Sequence, residues 1–178
     1  NFCRIIRNPT DIMINFFLKE HITSSSKRRF GVCDPPASEQ KAYIAEGEGE
    51  NWIAVVDNYY EIEVKFVPVD HCIELLKPDG TMDNRCDGCL FYEKTIIFVE
   101  LKDRNIKGAN WIKDAEKQLR HTIKRFEDEG ESNVFTVKKA YIANSAKPRF
   151  RSGQTVRMEN FFAETNYILR IENTIEID

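Results

Sequence analysis

The side chains with most chemistry to offer stand at the end of an apolar run. Residues 95–99 are apolar and partly β-branched, long enough for a strand buried on both faces, and the run ends in Glu100, Leu101 and Lys102. Side chains alternate along a strand, so Glu100 and Lys102 share a face with Ile96 and Phe98. An acid and a base therefore occupy one surface. The preceding segment, 87–92, also reads as a strand, and only Glu93 and Lys94 separate the two. A symmetrical turn makes paired positions sum to 187, so that Tyr92 meets Thr95, Cys89 meets Phe98 and Asp87 lies opposite Glu100. Directly opposed residues have Cβ atoms about 4.5–5.5 Å apart. Two carboxylates that close repel unless a cation or a shared proton sits between them, and hard oxygen ligands favour Mg²⁺, Mn²⁺ or Ca²⁺. Glu-Lys is not the Gly- or Asn-containing pair that tight turns prefer, and one bulge would shift Asp87 out of register.

Asp87, a short hairpin and Glu100-x-Lys102 at the end of an apolar strand resemble the PD-(D/E)xK nuclease superfamily, with Cys86 where the motif's name has Pro. The resemblance spans residues 87–143 once the following helix and strand are included. It implies a mixed α/β (α+β), restriction-endonuclease-like fold: a central mixed sheet with an antiparallel hairpin carrying the site, flanked by helices. It implies Mg²⁺-dependent hydrolysis of phosphodiester bonds in nucleic acid, DNA rather than RNA, with Mn²⁺ able to substitute. Asp87, Glu100 and the Leu101 carbonyl would hold the metal. Lys102 would orient the attacking water and offset charge developing on phosphorus, and Gln118 would position metal-bound groups or substrate. A helix before the sheet often adds an acid in this superfamily, and Glu39 and Glu46 are the candidates. A homodimer is compatible with the resemblance. Two readings compete: a nuclease-like module that binds nucleic acid or protein without turnover, and a small zinc-stabilised interaction domain using Cys86 and Cys89. The Cys86-x-x-Cys89 spacing is half a zinc site; no second such pair exists, and adjacent His71 and Cys72 rarely both reach one metal.

Composition bounds these readings. The chain of 178 residues, 42% hydrophobic and 31% charged, is long enough for one domain, 1–178, with a real core. No window reaches the roughly 18 apolar residues of a membrane span. Five cysteines without a secretory pattern read as reduced thiols, so a cytoplasmic protein is expected. Charge is uneven. Residues 1–100 hold 11 Lys plus Arg against 17 Asp plus Glu, a net −6, whereas residues 102–157 hold 14 against 7, a net +7. A one-sided basic surface is the footprint expected for phosphate contacts, with Lys113, Lys117, Arg120 and 147–157 as candidates.

The elements that position the site follow from periodicity. Asn8-Pro9-Thr10-Asp11 predicts a helix to about His21, and 23–29 a polar, basic loop. Asp34-Pro35-Pro36 reads as an N-cap opening a helix through Ala42 and Tyr43 to Gly47. Residues 52–56 and 59–69 predict a hairpin across Asp57-Asn58, with Ile53 opposite Ile62. Ile112, Ala115, Leu119, Ile123 and Phe126 form the stripe of a helix over 111–127, with Gln118 on its border and His121 facing solvent. Residues 137–143 predict a strand returning parallel to 95–102. A helical turn at Phe161-Phe162 and one or two strands within 167–177 complete the chain.

Overall fold

β7 (Thr95–Lys102) is buried over its first seven residues, as an apolar strand covered on both faces must be. The computed structural model describes residues 14–35, 40–47, 51–102, 110–146 and 153–178. β7 sits within a six-stranded sheet ordered β1 (Thr23–Ser25), β5 (Val64–Pro68), β6 (Gly88–Tyr92), β7, β8 (Val137–Asn144), β9 (Ile168–Arg170). Pairing is antiparallel from β1 to β7 and parallel from β7 to β9. A second, four-stranded mixed sheet is ordered β10 (Thr174–Glu176), β4 (Ala54–Asp57), β2 (Arg29–Cys33), β3 (Tyr43–Ala45). The α-helices among the described residues are α1 (Asn110–Glu129) and α2 (Thr155–Thr165). The fold is mixed α+β.

The parity of β7 decides what covers each face. Ile96 and Phe98, with Cys89 and Ile142 of the neighbouring strands, pack under Ile112, Leu119 and Phe126 of α1 and Phe161 of α2. Ile97, Val99 and Leu101, with Phe66 and Leu90, pack against Phe30, Val32, Val56 and Ile175 of the second sheet. The layers therefore run helices, six-stranded sheet, four-stranded sheet. Among the described residues, helices cover one face of the central sheet, and the second sheet covers the other, where Val32, Ala54 and Val56 offer a flat apolar surface. α1 carries its predicted stripe fully buried, and β7, α1 and β8 form the expected parallel crossover. Among the described residues, no helix is long and apolar enough to cross a membrane.

The site hairpin has the predicted register. Tyr92 pairs with Thr95, Cys89 with Phe98 and Gly88 with Val99. The turn closes without Gly because Glu93 itself adopts the left-handed conformation, at φ 43°. The Lys94 carbonyl also accepts from the N–H groups of Thr136 and Val137, at 2.9 and 3.1 Å.

Four local expectations differ from the structure. Residues 14–21 contain a turn and a 3-10 segment, Lys19–His21, rather than an α-helix, while 8–13 lie outside the described residues. Residues 43–45 are strand β3, which completes the edge of β2 with Cys33 paired to Tyr43, so the predicted helix does not reach them. A ladder partner outweighs a local helix start. The segments 52–56 and 59–69 do not form a hairpin: β4 pairs with β2 and β10, β5 with β1 and β6. Asn58 redirects the chain between sheets, its buried amide donating to the carbonyls of Lys27 (3.2 Å) and Ile62 (2.8 Å). The predicted basic loop at 23–29 also contains β1.

Gly88 of β6 lies close against β5, paired with Pro68. A Cβ there would lie 2.5 Å from the Phe66 ring and 2.9 Å from the Val67 carbonyl oxygen. Gly88→Ala is expected to cost about 1–3 kcal/mol as overpacking, measured by urea unfolding. An unchanged midpoint would contradict this close approach.

Candidate active site

The side-chain alternation of β7 puts Glu100 and Lys102 on the α1 face, beyond Phe98. Glu100 is completely buried. Its Oε1 accepts from Lys102 Nζ at 2.5 Å, whereas its Oε2 has no hydrogen-bond partner among the described residues. Lys102 Nζ also donates to Gln118 Oε1 at 3.3 Å, and Gln118 Nε2 donates to the Arg85 carbonyl at 2.9 Å. Asp87 immediately precedes β6, one step beyond the Gly88–Val99 pair, and its Oδ2 accepts from the Leu101 N–H at 2.5 Å. Val69 N–H donates to the Asp87 carbonyl at 2.9 Å, and Thr122 Oγ1 on α1 accepts from the Cys86 N–H at 2.9 Å, so the segment is tied to both β5 and the helix. Asp87, Glu100, Leu101, Lys102 and Gln118 are thus gathered at one end of β7.

The electrostatics are those of crowded acids. Asp87 keeps some contact with solvent, yet the protein packed around its carboxyl pushes its pKa up to about 7, against the opposing pull of the Leu101 N–H; Asp34 adds to the rise. Burial raises Glu100 well above the ordinary carboxylate range, and the Asp87 charge raises it further, while Lys102 pulls it down. Burial alone would lower Lys102, but Glu100, Asp87 and Asp34 outweigh it and hold its pKa above the usual value. Comparison of the chain with family models, curated proteins and solved structures finds no match. The site is therefore judged on its own chemistry.

That chemistry fits a hard divalent cation. A buried carboxylate oxygen without a partner, with a second carboxylate acting on it, is an oxygen-ligand set short of positive charge. No three His, Cys, Asp or Glu side chains among the described residues form a complete metal cage. Mg²⁺ needs none, since it keeps several waters and is commonly held by one or two carboxylates.

Sequence reasoning missed Asp34, read there as a helix cap. It follows β2 directly, and its charge acts on Asp87, Glu100 and Lys102. Asp70 was also missed; it acts on Asp87 and pairs with Arg85 Nη2 at 2.7 Å. Nothing local marks either residue, because each reaches the site from another strand's end. Of the proposed upstream acids, Glu39 lies outside the described residues, and Glu46 is exposed and accepts from Ser25 Oγ at 2.6 Å. It stands at the end of β3, not on a helix.

Cys86 and Cys89 are free thiols fully buried beneath α1. Burial pushes Cys89 up to about 12 and Cys86 well above its ordinary value, and among the described residues they belong to no group of three His, Cys, Asp or Glu that could hold a metal. His121 is only partly exposed, with Nδ1 2.9 Å from Asp83 Oδ1.

The basic half of the chain divides in two. Arg120 is engaged by Glu116 and Glu164 and lies over the Phe161 ring, Arg157 is engaged by Glu116, and Lys124 by Asp128. Lys113 and Lys117 are exposed one turn apart on α1 and have no ion-pair partner among the described residues. They line a groove of about 940 Å³ along the helix, together with Arg125 and Asp114. Residues 147–152 lie outside the described residues.

An acid whose folded pKa lies above its unfolded value costs stability wherever the unfolded chain would already have lost its proton. For Asp87 the cost is absent below about pH 4, grows until about pH 7 and stays constant above. In chelator, Asp87→Asn is therefore expected to be more stable than the parent at pH 8, by on the order of 2–4 kcal/mol, and nearly equal at pH 4. Melting curves at the two pH values check this. A variant less stable at pH 8 would mean that the carboxylate is not under electrostatic stress.

Proposed function

We propose that this chain is a divalent-metal-dependent nuclease that hydrolyses phosphodiester bonds in nucleic acid, DNA rather than RNA, on a restriction-endonuclease-like scaffold. The observation that carries the reading is the completely buried Glu100, with one oxygen given to Lys102 and the other without a partner, beside the stressed carboxyl of Asp87. The order of hairpin, helix and parallel strand in β6, β7, α1 and β8 supports the scaffold.

Asp87 and Glu100 would hold Mg²⁺ or Mn²⁺, with the Leu101 carbonyl as a third oxygen. The bound ion supplies Lewis acidity to a phosphate oxygen and a lowered pKa for its water. The chain's own residues do the rest. The Leu101 N–H fixes the Asp87 carboxyl, leaving its other oxygen for the ion. Lys102, kept cationic by the surrounding acids, stabilises negative charge developing on the phosphate and orients the attacking water. Gln118 holds Lys102 from one side while its amide nitrogen is fixed on the Arg85 carbonyl, so the ammonium position is set by a helix and a strand together. Asp34 adds negative charge that favours cation capture.

Lys102→Ala and Asp87→Asn are each expected to lower Mg²⁺-dependent cleavage by about 100-fold or more, the magnitude for loss of a preorganised electrostatic partner. The assay uses supercoiled, linear, single-stranded and branched DNA and RNA, with Mg²⁺ and with chelator, and circular dichroism confirms the fold of each variant. Undiminished cleavage by Asp87→Asn would remove the metal assignment.

Lys113 and Lys117 are the exposed bases placed to meet phosphates in this groove, since Arg120 and Arg157 are already engaged. Neutralising either to Gln should lower the log-log salt slope of duplex binding by about 0.9, whereas Arg120→Gln should leave it unchanged. Equal effects from all three would show that the intramolecular pairs do not withhold Arg120.

A further inference from the structure

Asn58 lies on a connecting loop and is nevertheless completely buried. Its amide donates to the carbonyls of Lys27 (3.2 Å) and Ile62 (2.8 Å), and its Oδ1 accepts from the Ile62 N–H (3.2 Å). Its backbone N–H donates to the Arg28 carbonyl (2.8 Å), and its carbonyl accepts from the Glu61 N–H (3.0 Å). These bonds clamp the loop after β4 onto the loop before β2. Glu61, at φ 52°, takes a left-handed conformation within the same clamp.

The clamp presents two aromatic rings to solvent. Tyr59 and Tyr60 are 68% and 69% exposed, with rings edge to face at 5.3 Å. The Arg28 guanidinium lies 4.9 Å from the Tyr59 ring centroid, and Lys27 is exposed beside it. Of the neighbouring charges, Arg29 pairs with Asp57 at 3.5 Å and Glu63 with Lys65 at 3.6 Å, while Glu61 is exposed, so Lys27 and Arg28 face one acid on this loop. The rings bury little, so packing does not explain them. Surface loops are ordinarily mobile, and fixing one with a buried amide lowers the entropy lost when its side chains engage a partner.

We propose that Tyr59 and Tyr60, with Lys27 and Arg28, bind unpaired nucleobases of a single-stranded nucleic-acid segment. Bases stack on aromatic faces and phosphates follow adjacent cations, and this combination recognises single strands with little regard to sequence. A duplex keeps its bases stacked inside and would offer the rings nothing. The platform stands at the opposite end of β2 from Asp34, roughly 17 Å away at the rise of a strand. It would therefore hold a substrate's single-stranded extension at a distance from the cleavage site, and the choice of nucleic acid as partner rests on the function proposed above.

The test is fluorescence anisotropy with a labelled single-stranded oligonucleotide and a blunt duplex, both in chelator, so that binding is read without catalysis. Tyr59→Ala and Tyr60→Ala should each weaken single-strand binding by about 10-fold, with the Phe variants close to the parent and duplex binding little changed. Tyrosine-dependent binding in a protein that shows no metal-dependent hydrolysis would support the platform while removing the active-site reading. Absent single-strand binding, or binding indifferent to both Ala substitutions, would overturn the platform alone. So would a concentration-dependent dimer in sedimentation that either Ala substitution dissolves, since the rings would then serve a second copy of this chain.

Discussion

A fully buried carboxylate at the end of the central strand is the constraint on which the rest of the structure depends. Moving an ionised carboxylate out of water costs several kcal/mol even after relaxation, and one ammonium offsets this only when geometry is good. Lys102 meets one oxygen of Glu100 and leaves the other unmet. The surrounding structure tolerates that deficit because β7 is held by ladders on both sides and covered above and below. A looser frame would let the end of the strand twist toward water.

The parity of β7 links this deficit to the layer architecture. The residues at 97, 99 and 101 serve the interface between sheets, so the residues at 96, 98, 100 and 102 face the helices. As the apolar cover of α1 runs out, Glu100 and Lys102 emerge beside Gln118. The second sheet contributes more than cover, because β2 ends at Asp34 and brings another acid to the same region. Polar groups from four strand ends and one helix meet there, which no single segment could supply.

What was legible in the sequence was what depends on neighbours a few residues apart. The β6–β7 register follows from a two-residue turn between alternating strands, and α1 from an apolar stripe several turns long. These gave Asp87, Glu100, Lys102 and Gln118 together. What escaped was set by distant partners. Asp57-Asn58 looks like a hairpin turn, but the Asn58 amide is engaged with Lys27 and Ile62, which carries the chain into another sheet. Residues 43–45 become a strand only because β2 presents an open edge. Asp34 resembles a helix cap for the same reason: its neighbourhood is made by β6 and β7, more than fifty residues away.

Stability alone gives no account of this arrangement. Replacing a buried ion pair by apolar residues of similar volume is often neutral or stabilising, and here the strand end is already lined by Phe98, Leu101 and Cys89. An apolar pair at positions 100 and 102 would extend that packing and relieve the repulsion between Glu100 and Asp87. The protein instead keeps two mutually repelling acids, a lysine held cationic by them and further acids nearby. Each is held by backbone or by side chains from rigid elements, which is how a site is built when its charges are to be completed by something from outside. A divalent ion would remove the repulsion by supplying the missing charge, so the feature that weakens the metal-free fold is the same one that gives the proposed ion its affinity.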